Sequence, residues 1–303
     1  MTDKAYVLAA IGCSGEIAEV FVNGFIRQGV KVRLLARDAG KVSARYPQAE
    51  VIRGSMMRSS DVVPVLQGVD AAFLITPMGV RNDKSSEVAA ARAVIDAARS
   101  ANLKHLIYVS VLHADQASEL SLIDAKHDVE SLLAASGIPW TSLRCGSYME
   151  DVFDVRVRQL AKGRFMFPVI KERRFTYTSQ QDISRFVAQE LLPRGEALNR
   201  GFNFVSPGTY SIHEVEQLLG KAQGKPVKAS GKAAFYYLIR LLQPFFHWRG
   251  HRLSTIIPLV VYFNRYGYTD DGQSVATLFP EFRTTTLEEH LQRLLARDAK
   301  PDI

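Results

Sequence analysis

A glycine-rich segment near the N-terminus has the residue types and spacing to bind a phosphate group. It contains Gly12, Cys13, Ser14, Gly15, Glu16 and Ile17. Glycines permit a tight turn and let backbone N–H groups approach a pyrophosphate where the next helix begins. Ala18 takes the third glycine position of the pattern, which requires only close packing of helix against strand. An ordinary glycine-containing turn is the alternative, but the predicted strand before the segment and helix after it favour a dinucleotide site.

Basic residues follow the second predicted strand, at the position that discriminates between cofactors. Sites for NAD usually place a carboxylate there, which accepts hydrogen bonds from the ribose hydroxyls. This chain has Arg37 at that position, and Lys41 follows one helical turn later. Because a guanidinium suits a 2′-phosphate better than a pair of hydroxyls, the sequence predicts NADP(H). The alternative is a solvated surface arginine that Asp38 neutralises.

Small residues also end the fourth and fifth predicted strands. Thr76 and Pro77 close the fourth strand, and Ser110 closes the fifth. In an open parallel sheet, ligands bind beyond the carboxyl ends of the strands. We therefore expect Thr76, Pro77 and Ser110 to line the cofactor trough. No group of His, Cys and carboxylate residues has the spacing of a metal site, so no metal is expected.

The composition restricts the class of protein and its compartment. The 303 residues are 47% hydrophobic and 23% charged, as in a soluble globular enzyme. A net charge of +7 favours an anionic ligand, but it is too diffuse to indicate nucleic-acid binding. The two cysteines form no disulfide framework, and neither a signal peptide nor a run of about twenty uncharged residues is evident. We expect a cytoplasmic protein without a transmembrane segment.

Alternating strands and helices must position these residues. The predicted strands cover 6–11, 31–36, 50–53, 71–76, 105–110 and 139–144, and helices are predicted over 16–28, 86–101 and 123–136. This alternation is typical of an α/β fold with a doubly wound, mostly parallel Rossmann sheet. After residue 150 it loosens into predicted helices over 179–192, 211–222 and 286–297 and a further sheet strand over 201–205.

The chain is therefore predicted to have two parts. Residues 1–150 form an NADP-binding Rossmann domain, and residues 151–303 form a mixed region that returns to the sheet and builds a smaller, α-rich substrate lobe. The aromatic-rich stretch 235–268 is either core of this lobe or the wall of an apolar pocket, which indicates a small apolar or aromatic substrate. Its basic residues also permit contact with an anionic membrane surface.

Several segments recur in the order and spacing of a known family. They are the glycine-rich turn and residues 34–37, 68–77, 125–130 and 136–144. Over roughly the first 220 residues, the chain resembles the NmrA-like family of atypical short-chain dehydrogenase/reductases. The resemblance implies a Rossmann-type sheet, bound NADP(H) and a substrate cleft between the sheet edge and the C-terminal lobe.

The resemblance also indicates candidate catalytic residues. Classical members of the wider superfamily use Tyr-x-x-x-Lys, but Leu122 occupies the tyrosine position ahead of Lys126. Lys126 matches the lysine that serves as acid and base in a related reductase branch. The alternatives are a contact to the cofactor ribose or a surface pair with Glu130, four residues along the helix.

A loop after the sixth strand corresponds to one that passes beside the nicotinamide in the family. Gly146, Ser147 and Tyr148 are therefore candidate cofactor contacts. Cys145 replaces the usual proline and Asp151 the usual asparagine, so the loop departs from the family pattern. Tyr148 is the candidate substitute for the missing proton donor, and simple packing is its alternative role.

Together these residues predict an NADPH-dependent oxidoreductase that acts on a small hydrophobic carbonyl, quinone or conjugated substrate. One alternative is a non-enzymatic NADP(H)-binding redox sensor or regulator. Another is a cofactor-binding enzyme of a non-redox biosynthetic rearrangement. Lys126 argues against the sensor, and Leu122 argues against a standard reductase. The sequence does not distinguish a monomer from a homodimer.

Overall fold

The computed structural model describes residues 5–15, 18–76, 84–154, 160, 162–166, 169–170, 172–230, 241, 253–270 and 274–298. Within these ranges the chain packs into two compact units. The first unit takes the described residues up to 144 and those of 180–202, and the second takes 145–179 and those from 203 onward. The assignment of a cofactor domain and a substrate lobe divided at residue 150 stays a prediction, because packing does not assign function.

A seven-stranded sheet organises the first unit. Its strands are β1 (Val7–Ile11), β2 (Lys31–Ala36), β3 (Glu50–Arg53), β4 (Ala71–Leu74), β5 (Leu106–Val111), β6 (Trp140–Cys145) and β10 (Arg200–Phe204). The strand order is β10-β6-β5-β4-β1-β2-β3. The pairings of β1 with β2 and β4, of β2 with β3 and of β4 with β5 are parallel. This confirms the predicted α/β fold, and β10 confirms the predicted late sheet strand.

Five helices connect these strands, and three more short helical segments return to the unit. The first five are α1 (Glu19–Arg27), α2 (Ala39–Arg45), α3 (Ser59–Leu66), α4 (Ser85–Ser100) and α5 (Ser121–Ala135). The returning segments are Gln180–Phe186, a π-helical turn over Val187–Leu191, and Leu192–Arg194. The sequence did not predict α2 or α3, which are short, and α3 contains Pro64, a residue that disfavours a helix interior.

The core of this unit lies on both faces of the sheet. All four residues of β4 are buried, as expected for a parallel strand that helices cover on both sides. Phe21 and Phe25 of α1 pack on Phe73 of β4, with ring centroids 5.6 and 5.0 Å apart. A Cβ at Gly24 would lie 2.5 Å from the Ser184 side chain, so α1 packs closely against helix Gln180–Phe186. That contact explains why residues 180–202 belong to the first unit.

The second unit contains two small sheets and several helices. The strands β7 (Ser147–Tyr148), β9 (Arg174–Thr178) and β11 (Thr209–Ser211) form one sheet, and β8 (Arg164–Met166) pairs with β12 (Lys228–Ser230) in the other. The helices are Met149–Phe153, Ile212–Gln223, Leu253–Tyr266, Val275–Leu278 and Leu287–Asp298. The sequence predicted two of these helices, over 211–222 and 286–297, but not the other three. It also missed both sheets, because strands of two to five residues show little periodicity.

The described part of the aromatic stretch packs within the second unit. Phe263 lies 5.5 Å from Phe175 and 5.0 Å from Tyr268 between ring centroids. Residues 235–240 and 242–252 of the predicted stretch lie outside the described residues. Among the residues that are described, no helix combines the length and the apolar character needed to cross a bilayer.

Candidate functional site

The glycine-rich turn follows β1 directly and requires glycine at its first position. Gly12 has a φ of +79°, and a Cβ there would lie 1.8 Å from the carbonyl oxygen of Ile75. Gly15 is exposed, and a Cβ there would meet nothing within 4 Å. Two further candidate residues, Glu16 and Ile17, lie outside the described residues. The turn therefore approaches the end of β4 closely while Gly15 faces open space, where a ligand phosphate has room to approach.

The other two side chains of the turn differ in exposure. Ser14 is half-buried, whereas Cys13 is fully buried. The Cys13 thiol donates to the carbonyl oxygen of Ile11 at 3.8 Å, and burial raises the pKa of this thiol far above its ordinary value. The thiol therefore stays protonated, and only the backbone of Cys13 is available to a ligand.

Two exposed cations stand at the carboxyl end of β2. Arg37 and Lys41 are both exposed, and neither side chain forms an ion pair among the residues that the structure describes. Asp38 does not neutralise Arg37. Its side chain instead accepts a hydrogen bond from the Lys41 backbone N–H at 3.1 Å and caps α2. As far as the described residues are concerned, both cations are therefore available to an anionic ligand.

A buried polar cluster lies where β4 and β5 end. It consists of Thr76 after β4, Glu87 in the first turn of α4, Tyr108 on β5 and Lys126 on α5. Lys126 Nζ lies 2.7 Å from Glu87 Oε1 and donates to Thr76 Oγ1 at 2.8 Å and to the Val109 carbonyl oxygen at 3.4 Å. Since an ammonium group has three N–H donors, Lys126 has a partner for each of them.

Hydrogen-bond accounting fixes the direction of the remaining contacts. Thr76 Oγ1 donates its single proton to Glu87 Oε1 at 2.5 Å. The Tyr108 hydroxyl, 3.1 Å from Thr76 Oγ1, must therefore be the donor of that pair. The cluster is closed: Glu87 accepts from two neighbours, and the Thr76 hydroxyl uses its full capacity inside the cluster.

The cluster keeps its protons at neutral pH. Burial alone would lower the pKa of the Lys126 amine, but the neighbouring Tyr108 oxygen and the Glu87 carboxylate outweigh it, so this pKa lies above its ordinary value. Burial raises the pKa of Tyr108 as well. Lys126 is therefore a fixed positive charge, and its attraction for negative charge is stronger here than at the surface because the surroundings are poorly screened.

Lys126 does not pair with Glu130, so the surface-pair alternative is wrong. Glu130 is itself buried and accepts from Arg144 Nη2 at 2.7 Å and from the Ser142 hydroxyl at 2.8 Å. Although four residues apart on α5, the lysine and the carboxylate belong to separate ion pairs.

Ser110 carries an unsatisfied hydroxyl at the carboxyl end of β5. The residue is 1% exposed, and its Oγ has no hydrogen-bond partner in the part of the chain that the structure describes. It follows Val109, whose carbonyl oxygen accepts from Lys126. A buried hydroxyl without a partner is costly, so this position favours a bound group that supplies one. Pro77, predicted to line the same trough, lies outside the described residues.

The remaining candidates belong to the second unit. A Cβ at Gly146 would lie 2.4 Å from the Thr176 carbonyl oxygen, so β7 starts in close contact with β9. Ser147 and Tyr148 form β7 and pair with Tyr177 and Thr178. Tyr148 is half-buried. The pKa of its phenol is raised well above the ordinary value, mainly by burial and to a smaller extent by the neighbouring Cys145. Tyr148 therefore keeps its proton at neutral pH.

A family model described as the NmrA-like family matches residues 4–291. The chain belongs to the NmrA-like family.

Relatives of this NmrA-like chain carry different functional names. It is 26% identical to quinone oxidoreductase 2 of Escherichia coli over 224 residues, which cover 73% of this chain and 76% of the relative. It is 23% identical to the photosystem II assembly factor Ycf39 of Cyanophora paradoxa over 301 residues, or 97% of this chain and 93% of the relative. A solved structure of Citrobacter sp. triphenylmethane reductase complexed with NADP(H) shares its fold, with a TM-score of 0.76, 18% identity and coverage of 96% of this chain and 100% of the other.

Three observations on the NmrA-like chain fit a dinucleotide carrying an extra phosphate. Gly12 has no room for a side chain. Among the described residues, Arg37 is an exposed cation without an ion-pair partner and Ser110 has a buried hydroxyl without a hydrogen-bond partner. All three lie at or just beyond the carboxyl ends of β1, β2 and β5, the edge at which open α/β sheets bind ligands.

Sequence reasoning missed Glu87 and Tyr108. Glu87 shares the buried face of α4 with Ala90, Ala91 and Val94. A carboxylate at that spacing is a detectable signal, because an ionised group on an apolar helix face needs a buried partner. The only comparable signal for Tyr108 is a phenol within the strand Leu106–Val111, in which all other residues except Ser110 are aliphatic.

Proposed function

We propose that this chain is an NADPH-dependent oxidoreductase that reduces a small apolar or aromatic carbonyl, quinone or conjugated compound. The observation that carries the proposal is the charged Lys126 amine in the buried cluster. It donates to the carbonyl oxygen of Val109, the neighbour of Ser110, whose buried hydroxyl has no partner among the described residues. The names of the Escherichia coli and Citrobacter proteins, a quinone oxidoreductase and a triphenylmethane reductase with NADP(H), support the cofactor and the reaction class.

The first unit offers groups for each part of the cofactor. The turn from Gly12 to Ile17 would hold the pyrophosphate through backbone N–H groups. Arg37 and Lys41 would bind the 2′-phosphate. Thr76, Pro77 and Ser110 would line the trough for the nicotinamide half. When bound, NADPH supplies the hydride.

Lys126 would act through its charge. Hydride delivery to a carbonyl or quinone places negative charge on an oxygen, and a fixed ammonium in a dry site stabilises that charge without reorganisation. Tyr148, which keeps its proton, is the proposed proton donor. This role, and cofactor contacts by Gly146, Ser147 and Tyr148, rest on the family resemblance alone.

A cofactor-binding protein without turnover is the second candidate. The alignment with the photosystem II assembly factor spans 97% of this chain, whereas that with the quinone oxidoreductase spans 73%. The C-terminal part is therefore matched by a relative whose name denotes assembly and not catalysis. All three N–H donors of Lys126 already have partners within the protein, which also suits a charge that stabilises the fold and takes no part in catalysis.

Turnover measurements separate the two candidates. The absorbance of NADPH is followed with a panel of quinones, azo compounds and triphenylmethane dyes. For a reductase, we expect at least one compound to consume NADPH. Because the charge that stabilises the developing oxyanion is lost, the double variant Lys126→Met/Glu87→Gln should lower kcat by about 100-fold and change the Kd of NADPH only a few-fold. NADPH binding without consumption of NADPH by any compound would instead favour the second candidate.

A further inference from the structure

We propose that Glu87 is the positioning residue of this site: it fixes Lys126 as a permanent ammonium ion, so that Lys126 acts as a constant charge and not as a group that exchanges its proton. The proposal rests on the proposed function for its catalytic meaning. Its structural part concerns only the buried cluster of the first unit.

The geometry of Glu87 suits this role. The residue is 1% exposed, and its Oε1 lies 2.7 Å from Lys126 Nζ while accepting the Thr76 proton at 2.5 Å. Thr76 in turn accepts from Lys126 at 2.8 Å. The carboxylate therefore holds the amine both directly and through Thr76, which leaves the amine little freedom to reorient.

No other carboxylate of the described residues contacts Lys126. On its own helix, Glu130 is bound to Arg144, and Asp124 and Asp128 are paired with Lys84 at 2.5 and 2.8 Å. From β5, Tyr108 presents a hydroxyl that burial keeps protonated, with Lys126 Nζ 5.0 Å from its ring centroid. Beside the Tyr108 oxygen, Glu87 is thus the one carboxylate among the described residues that holds the Lys126 proton.

Burial without a carboxylate would have the opposite effect on a lysine. Desolvation disfavours the charged form, so an unpaired buried amine loses its proton more easily and can serve as an acid or base near neutral pH. Glu87 removes that option. It leaves one N–H that a ligand can take over, since the contact to the Val109 carbonyl oxygen, at 3.4 Å, is the longest of the three. The ligand group that fits there is a neutral oxygen acceptor, such as a hydroxyl or carbonyl.

The test follows the titration of the Lys126 side chain by NMR, with the signal assigned from a Lys126→Arg variant. In the wild type we expect no titration of Lys126 between about pH 6 and 10. Glu87→Gln keeps the size and an acceptor oxygen but removes the charge, so the midpoint should fall by about 2 pH units or more. Glu87→Asp, which restores the charge, should return the midpoint toward that of the wild type.

Glu130→Gln is the matched control. It changes the same residue type at similar burial, 5% exposed, four residues from Lys126, but on a carboxylate that pairs with Arg144. It should leave the Lys126 titration unchanged. A midpoint equal in wild type and Glu87→Gln, or lowered equally by Glu130→Gln, would overturn the proposal. Should Glu87→Gln not fold, a wild-type midpoint within the neutral range would by itself overturn it.

The pH dependence of turnover supplies the catalytic arm. If a substrate is found, kcat of the wild type should show no pH-dependent change that belongs to the titration of Lys126. Glu87→Gln should show such a change, and Glu87→Asp, which restores the charge, should not. If no compound is reduced but the NMR titration behaves as expected, the proposed function fails and the role of Glu87 stands. If turnover is present and the titration of Glu87→Gln matches the wild type, only the role of Glu87 fails.

Discussion

The two ends of β5 each hold a buried base, and the two bases have opposite protonation states. At the amino end, His105 is 2% exposed, and its Nε2 lies 2.9 Å from the Thr141 hydroxyl oxygen. Burial lowers the pKa of this imidazole to about 4, so it is neutral at pH 7. At the carboxyl end, Lys126 is similarly buried but carries a charge, because Glu87 lies against it.

The difference shows that the partner decides the charge of a buried base more than the burial does. A hydroxyl partner leaves desolvation uncompensated, whereas a carboxylate outweighs it. The difference in protonation also matches the positions of the two bases in the sheet. Ligands of open α/β sheets bind at the carboxyl ends of strands, so the charged base lies at the ligand-binding edge and the neutral base at the opposite edge.

The largest expected effect comes from breaking the charged pair on one side only. Lys126→Met leaves the Glu87 carboxylate buried without its cation, which should lower the free energy of unfolding by about 3–5 kcal/mol. Lys126→Met/Glu87→Gln removes both charges and should recover most of that loss. Urea denaturation at pH 7 measures both variants. A double variant as unstable as the single one would contradict the pairing.

A smaller effect is expected from acid at the amino end of β5. The folded-state pKa of His105, about 4, lies below the ordinary value of 6.5. Above pH 6.5 both states are neutral, and as the pH falls toward 4 only the unfolded state binds the proton. This group should therefore cost about 2–3 kcal/mol of stability between pH 7 and 4.

Urea denaturation at both pH values isolates this contribution when the wild type is compared with His105→Gln, which keeps a hydrogen-bonding side chain but does not titrate. The variant should lose less stability on acidification than the wild type. Equal losses would show that His105 titrates alike in both states, and the contrast between the ends of β5 would then disappear.

The sequence was sufficient to predict the sheet and the glycine-rich turn because their signals are local. Strand and helix alternate at a regular spacing, and Gly12 and Arg37 stand directly at strand ends. The pairing of Lys126 with Glu87 was not predictable in the same way. It joins two helices distant in sequence, whereas Glu130 is the nearer carboxylate by helical spacing and is taken by Arg144. Long-range packing decided between them.

The smallest of the three effects concerns Arg37, an exposed cation outside the buried cluster. It tests whether the carboxyl ends of the strands, and not their amino ends, bind the cofactor. Arg37→Ala should raise the Kd of NADPH by about 10- to 100-fold, the equivalent of one or two charge-assisted hydrogen bonds, and change that of NADH by less than about 3-fold. Lys31→Ala, at the opposite end of β2, should change neither. Calorimetric titration measures all of these constants. An equal loss for both cofactors would remove Arg37 from the phosphate site.

The most direct test of the account is a crystal structure of the chain with NADPH. The account predicts cofactor density along the carboxyl ends of β1, β2, β4 and β5, with the Ser110 hydroxyl in a hydrogen bond to the nicotinamide half at about 2.7–3.2 Å and Lys126 still against Glu87. Density elsewhere, or a bound cofactor that leaves the Ser110 hydroxyl without a partner and Arg37 away from the 2′-phosphate, would contradict it.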